Sequence, residues 1–460
     1  MIGGRFLPVP RFDQAPPHAD RAGAFAAKTP PIDARPHSYI KFLLIITLIA
    51  LLMFLNMIYF FVMILQTPRN DFGRTFLSAR LRVDGASLYA VNDAIRWNRD
   101  DGSEVLLKNL NPPHFHLLLI PFARLKTEIA LGIWIVAGFA GFIAALRAIG
   151  RELAIEFEAD ERAAAVLAGL TFVGTSAALA AGHMTGILVG LFTLAWLEAR
   201  RGRSTRAGFW IGVVASVKPF FLIFLPYFWL TGKLRAAAAC SLVIVGSVAV
   251  GVAAFGVDSY QEWMMNLIDA DGWTNALGNA SIDGLLSRSF TTDPHHYKMI
   301  YLNFYFYQSL RITLLILIGF ASLAIARSDA TLTDIDRAFA ALMLAALLIS
   351  PLGWTYYFWL PVAPIVAVAI DRVRNRGEFS DRFQRASAIL FFTALPGLGA
   401  PTLPRLEGFA PRFLCYLIHN TYFFSLFFIW ISVIVDSAGA IRRRRSFNRS
   451  PSAPIEKGAV

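Results

Sequence analysis

Asp71 is the residue in this chain best placed to do chemistry. It follows an apolar run, 42–65, that carries no charge, and about 20 apolar residues let a helix cross a bilayer. It opens the stretch DFGRTFLSARL. There Phe72, Phe76, Leu77, Leu81 and the later Leu88 supply an apolar face, and Arg74, Arg80 and Arg82 a polar one. That is the pattern of a helix lying in a membrane interface. A carboxylate in that place can take a proton from a sugar hydroxyl and make its oxygen a nucleophile. The competing role is structural, because an acid in the first turn of a helix caps it or matches its dipole. A carboxylate at the mouth of a span points to chemistry at the membrane surface on a lipid-borne substrate.

Lys218 is the second candidate. It sits in the apolar stretch 207–231, where a charge is costly and marks a functional site by default. Its ammonium can neutralise a phosphate, or it can snorkel to an interface. His183 follows the small residues GTSAALAAG and can donate to phosphate or sugar, or serve as a polar helix end. Arg288, in LGNASIDGLLSRSF with Asn279, Ser281 and Asp283, offers a fork for phosphate or a solvated loop charge. His114 and His116 lie two apart, which puts them on different helix faces and argues against a metal pair. Trp354, Tyr356, Tyr357 and Trp359 read as an aromatic belt, with sugar stacking as the sharper reading for one of them.

These residues must be positioned by membrane helices. Of 460 residues, 56% are hydrophobic and 16% charged, which excludes a single water-soluble core. The net charge of +12 comes from basic loops between apolar runs, the positive-inside pattern, so no nucleic-acid partner is expected. Cys240 and Cys415 lie in apolar runs and form no metal spacing; no metal and no cofactor are expected. Runs 42–65, 128–149, 163–182, 236–256, 309–326 and 413–435 have spanning length, and 184–198, 338–352, 356–370 and 386–400 are shorter candidates. The expectation is an all-α polytopic membrane protein with about ten full spans, half-helices that re-enter, and outer loops bearing interfacial helices. The boundaries expected are a disordered cytoplasmic N-terminus (1–38), a membrane domain (39–436) with outer loops 66–127 and 257–308, and a basic cytoplasmic tail (437–460). No cleaved signal peptide is expected.

Two segments do not fit as simple spans. Phe115 to Ala123 is too short and reads as an interfacial or re-entrant helix. The stretch 207–231 lies between two basic loops, so charge parity asks for an even number of crossings. Pro219 removes a backbone donor and disfavours helical geometry at Lys218. Two half-helices meeting at Lys218 satisfy both; one kinked span is the alternative.

No phosphate-binding glycine loop and no HExxH stands in the chain, and no nucleotide-sugar DxD in a soluble domain. The order of the remaining motifs resembles glycosyltransferase family 87, of the GT-C superfamily of polyprenyl-phosphate-sugar-dependent transferases. The matching pieces are Asp71 after the first span, Gly85-x-x-Leu88-Tyr89, Asn111-Pro112-Pro113, Gly182-His183, Lys218-Pro219, Asn279-x-Ser281 with Arg288, and Ser350-Pro351-x-x-Trp354. The resemblance implies a GT-C-like bundle in a bacterial cytoplasmic membrane. It implies a mannosyltransferase-like, inverting transfer from polyprenyl-phosphate to a lipid or glycan hydroxyl at the outer face. Asp71 matches the general base. Lys218, Arg288 and His183 are then expected at the donor phosphate, and Tyr89, Asn111, His114, Asn279, Trp354 and Tyr357 at the substrates. Two positions depart from the family. It commonly has Gln where His183 stands, and often has His just after the Trp, where this chain has Thr355-Tyr356-Tyr357. The competing class is a transporter or flippase of lipid-linked sugar, for which broken helices would suit; no matching second half is found.

Overall fold

The computed structural model describes residues 51, 71–90, 96–98, 104–106, 108–156, 158–268, 274–290, 304–327, 331–376, 382–392, 413 and 416–449. The run 42–65 (apart from residue 51), the segment 1–38, most of 393–415, His295, His296 and the end of the tail lie outside the described residues.

Among the described residues the secondary structure is helical apart from one antiparallel hairpin, β1 (Arg96–Asn98) with β2 (Glu104–Leu106). Helix α1 (Asp71–Val83) has its acid in the first turn and Arg80 and Arg82 in the last, as the helix dipole favours. It buries Phe72, Phe76 and Ala79. After the hairpin, Pro113–Leu118 and Ile120–Phe122 form short 3-10 turns rather than a helix. The bundle then runs through α2 (Thr127–Glu152), α3 (Ala159–Thr171), α4 (Val173–Ala180), α5 (Thr185–Arg200) and α6 (Ser204–Val217). It continues with α7 (Phe224–Leu230), α8 (Leu234–Phe255), α9 (Asp258–Ile268), α10 (Ile282–Phe290), α11 (Phe304–Ala326) and α12 (Leu332–Ile349). Helices α13 (Val362–Arg376), α14 (Arg382–Phe392) and α15 (Thr421–Arg449) complete it.

Among the described residues four helices are long and apolar enough to cross a membrane: Thr127–Glu152, Leu234–Phe255, Tyr305–Ala326 and Thr421–Ile441. Their exposed residues include Ile133, Val136, Leu242, Val245, Ile316 and Phe320, which fits lipid as solvent. Helix α12 is buried at every residue from Asp334 to Leu348 and forms the centre of the bundle. Of the ten spans expected from hydropathy, the run 42–65 (apart from residue 51) and residues 393–412 lie outside the described residues. One run, 163–182, is two helices, because Phe172 is extended (ψ 131°) and ends α3. Its ring packs on Trp359, Phe391 and Phe392, so tertiary contacts hold the bend, and Gly174 two residues on leaves room for the Phe172 and Trp359 rings.

Charges collect at one pole. Arg200 pairs with Glu152 (3.2 Å) and with Asp336; Arg337 and Arg372 both reach Asp436 (2.7 and 3.1 Å). These residues lie at the ends of α2, α5 and α13, at the start of α12 and within α15, which fixes helix directions. Gly208 and Gly212 of α6 meet Ala236 and Cys240 of α8, so those two helices run parallel. The chain between them must therefore turn back. It does so at Lys218, extended at φ −128°, followed by a 3-10 turn Pro219–Ile223 and α7. Those 5 and 7 residues rise about 20 Å, against about 21 Å for the 14 residues of α6. The segment thus returns to its starting pole, leaving Lys218 at the other one.

Candidate active site

The polar residues of interest gather at the pole opposite the ion pairs. Helix α1 docks by its first turn. The backbone N–H groups of Asp71 and Phe72 both donate to Ala181 O, at 2.9 and 3.3 Å. Ala181 is followed by Gly182, whose φ of +58° turns the chain sharply. Trp134 pins that turn with its indole N–H on Gly182 O (3.1 Å). This corner sets His183 beside the start of α1.

Asp71 forms an ion pair with Arg74, one turn along. Arg74 also donates to Lys108 O (3.4 Å). The two side chains stay 23% and 18% exposed, while most of what surrounds them is buried. The carboxylate is therefore oriented yet open to a ligand.

Lys218 projects from the break between α6 and the 3-10 turn. Its Nζ donates to Asn111 Oδ1 (2.9 Å) and lies 6.0 Å from the centre of the Tyr357 ring. Among the described residues no carboxylate comes within ion-pair distance of it. The Arg74 guanidinium is close enough for its charge to act on both Lys218 and His183. The His183 ring stacks on Tyr356 (4.1 Å) and meets Tyr357 edge-on (5.1 Å). Its Nδ1 bonds Thr185 Oγ1 at 2.7 Å, and Nε2 faces Tyr357 OH at 3.4 Å. Trp354 also stacks on Tyr356 (6.0 Å), so aromatic rings line this edge.

Several residues expected at substrate do other work. Arg288 was expected to fork a phosphate. Instead it is buried, with Nε donating to Asn420 Oδ1 (2.9 Å), one terminal nitrogen to Ala276 O (2.8 Å) and the other to Asn279 O (3.0 Å). Asn279 was expected at substrate. It is fully buried, donates to Thr274 O and Pro351 O, and accepts from the N–H groups of Ser281 and Gly353. It ties the loop before α10 to the Ser350-Pro351 corner. His114, also expected at substrate, is held by Ser216 O (2.8 Å) and Tyr260 OH (2.9 Å). Tyr89 donates to Asn111 O (2.7 Å) and so supports Asn111 from behind.

His116 is the deepest of these groups. Asn109 donates to its Nε2 (2.6 Å), and its Nδ1 faces the carbonyls of Pro112 and Pro113 (3.2 Å each). That set of partners suits a neutral ring with its proton on Nδ1. Burial pushes its pKa down to about 4, against the opposing pull of those carbonyls.

The family model of glycosyltransferase family 87 matches residues 109–351, just over half of the chain. The chain belongs to glycosyltransferase family 87. It is a membrane glycosyltransferase, with a sugar donor and an acceptor as its substrates. Comparison with curated proteins and with solved structures gives no match. The family 87 match contains Asn111, His183 and Lys218. Asp71, Arg74 and the tyrosines Tyr356 and Tyr357 lie beyond its ends, and the fold brings them to the same place. Sequence reasoning on this family 87 chain left out Arg74, which looked like part of a solvated face. Its signal was the spacing Asp71-x-x-Arg74, one helical turn.

Proposed function

We propose that this family 87 protein transfers a sugar, mannose by the family resemblance, from polyprenyl-phosphate to a hydroxyl of a lipid or glycan acceptor. The observation that carries this reading is Lys218: a half-buried cation held by a neutral amide, at the same pole as a partly open carboxylate. A charge without a counter-ion in a partly dry site is costly. A phosphate that enters the site offsets that cost, so the site favours an anionic donor. Arg74 adds a second cation, already balanced by Asp71.

The acceptor hydroxyl gives its proton to the Asp71 carboxylate as its oxygen bonds to the anomeric carbon. The bond from that carbon to the phosphate oxygen breaks, and polyprenyl phosphate leaves with the electron pair. A single displacement inverts the anomeric centre. Lys218 lies where the leaving charge develops. Trp354, half-buried at this edge, offers a face for a sugar.

Basic residues flank the ion-pair pole, with Arg200, Arg201, Arg203, Arg206, Lys233 and Arg235 in two adjacent turns. The positive-inside rule puts that pole in the cytoplasm and the candidate site on the outer face of a bacterial inner membrane.

The test is transfer from radiolabelled polyprenyl-phosphate-mannose to extracted lipid acceptors in membranes. Asp71→Asn keeps the shape and removes the base, so transfer should fall about 10²–10⁴-fold. Near-native transfer by that variant would leave Asp71 as a helix-start residue only.

A further inference from the structure

Asn111 stands where two hydrogen-bond systems join. Its Nδ2 donates to Thr75 Oγ1 (3.2 Å) and Asn109 Oδ1 (3.4 Å). Its backbone N–H also donates to Asn109 Oδ1 (3.0 Å). Thr75 spends its own hydroxyl proton on Asp71 O (2.6 Å), so toward Asn111 it can only accept. That decides which end of the amide faces which neighbour: Nδ2 must point at Thr75, and Oδ1 is left for Lys218. Asn109 is fixed in turn, donating to Ser78 Oγ (2.8 Å) and His116 Nε2 (2.6 Å). The chain from His116 through Asn109 and Asn111 to Lys218 therefore has one polarity, and it is braced on α1 at Thr75 and Ser78. Each member before the lysine is neutral.

We propose that Asn111 is the positioning residue of the anion site, a neutral acceptor that holds the Lys218 ammonium in place while leaving its charge for the donor's phosphate. A carboxylate at this position would hold the ammonium as firmly and cancel it. The inference rests on reading Lys218 as the phosphate-binding cation. It differs from the expectation that Asn111 touches substrate itself.

The geometry gives opposite orders for two variants. If Asn111 only anchors Lys218, Asn111→Asp, which keeps the acceptor, is milder than Asn111→Ala, which removes it. If neutrality is the point, Asn111→Asp is the more severe for the anion. The probe is farnesyl phosphate, a short polyprenyl phosphate, whose dissociation constant is measured on the purified full-length protein. KM and kcat with polyprenyl-phosphate-mannose are measured beside it. Asn111→Asp should weaken farnesyl phosphate by about tenfold or more, the scale of one charge-assisted contact. Donor KM should rise with it, and both effects should exceed those of Asn111→Ala. The reverse order overturns the proposal.

Thr75→Val is the second variant. It is nearly isosteric and changes no charge, but it removes the acceptor that orients the amide. Farnesyl phosphate binding should weaken several-fold while the unfolding temperature holds. Unchanged binding overturns the proposal even where Asn111→Asp does not fold. Lys218→Met separates the two levels. If it leaves farnesyl phosphate binding unchanged, the phosphate reading of Lys218 fails and the proposal with it. If it weakens binding while Asn111→Asp proves milder than Asn111→Ala, only the role given to Asn111 fails.

Discussion

His116 makes the turn Pro113–Leu118 sensitive to acid, and its bonding says in which direction. The folded protein keeps the ring neutral down to about pH 4, whereas the ordinary value is 6.5. Between those two values the unfolded chain binds a proton that the folded one refuses. Stability from this group is whole above the higher value and is lost as pH falls toward the lower, roughly 3 kcal/mol in all. The unfolding temperature of the detergent-purified protein should therefore drop between pH 7 and pH 5. His116→Gln, which can still accept from Asn109, should flatten that dependence. An equally steep fall in the variant would move the sensitivity to another group. Arg74 carries a different expectation. It orients Asp71 and adds positive charge near Lys218, so Arg74→Gln should lower kcat/KM for the donor by about 10–100-fold, the scale of one charge-assisted hydrogen bond. At this scale Asp71, His183 and Lys218 were legible because a charge or imidazole is out of place beside apolar runs. Arg74 was not, since arginines on an amphipathic helix are ordinary. For Arg288 and Asn279 the sequence showed polar side chains in a loop, and their bonds to Ala276, Asn279, Pro351 and Asn420 were not legible, because the partners lie up to 132 residues away.

Elements bring these residues together through close helix approach. Gly208 lies against the backbone of Ala236, with no room for a side chain, whereas Gly246 on the same face-to-lipid helix α8 meets nothing. Gly208→Val must push α6 from α8 and displace Lys218 at its end. A loss of about 1–3 kcal/mol is the usual scale for such overpacking, and the unfolding temperature should fall clearly. Gly246→Val should leave it level or raise it, because glycine weakens a helix interior. Equal behaviour of the two variants would contradict the α6–α8 contact. The return at Lys218 was readable, because proline restricts the residue before it and basic loops on both sides demand a turn back. The bend at Phe172 was not. Gly169 and Gly174 flank it without fixing its place, and it exists because Trp359, Phe391 and Phe392 receive the ring from segments distant in the chain.

For the molecule as a whole, the decisive property is the separation of two poles. At one, Glu152, Arg200, Asp336, Arg337, Arg372 and Asp436 lock helix ends with ion pairs. At the other, Lys218 keeps a charge that no protein carboxylate among the described residues cancels. Hydropathy made the membrane class legible; among the described residues four helices qualify as spans, and α12, though apolar over 338–349, opens with Asp334, Asp336 and Arg337. Which pole faces out follows from charge. Arg201, Arg203 and Arg206 are 47%, 53% and 68% exposed at the ion-pair pole, where retention of basic loops inside would place them in the cytoplasm. Asp84 ends α1 close to where Arg82 reaches Ala254 at the end of α8, and Lys126 precedes α2, whose far end holds Glu152. Both are exposed at the site pole. In a background with Cys240→Ser and Cys415→Ser, single cysteines at Asp84→Cys and Lys126→Cys should react with an impermeant maleimide on intact cells. Arg203→Cys should react only after the membrane is opened. On the proposed function, the donor then presents its phosphate to Lys218 from the outer leaflet. Labelling of Arg203→Cys from outside, with Asp84→Cys protected, would invert the protein and place the sugar transfer in the cytoplasm.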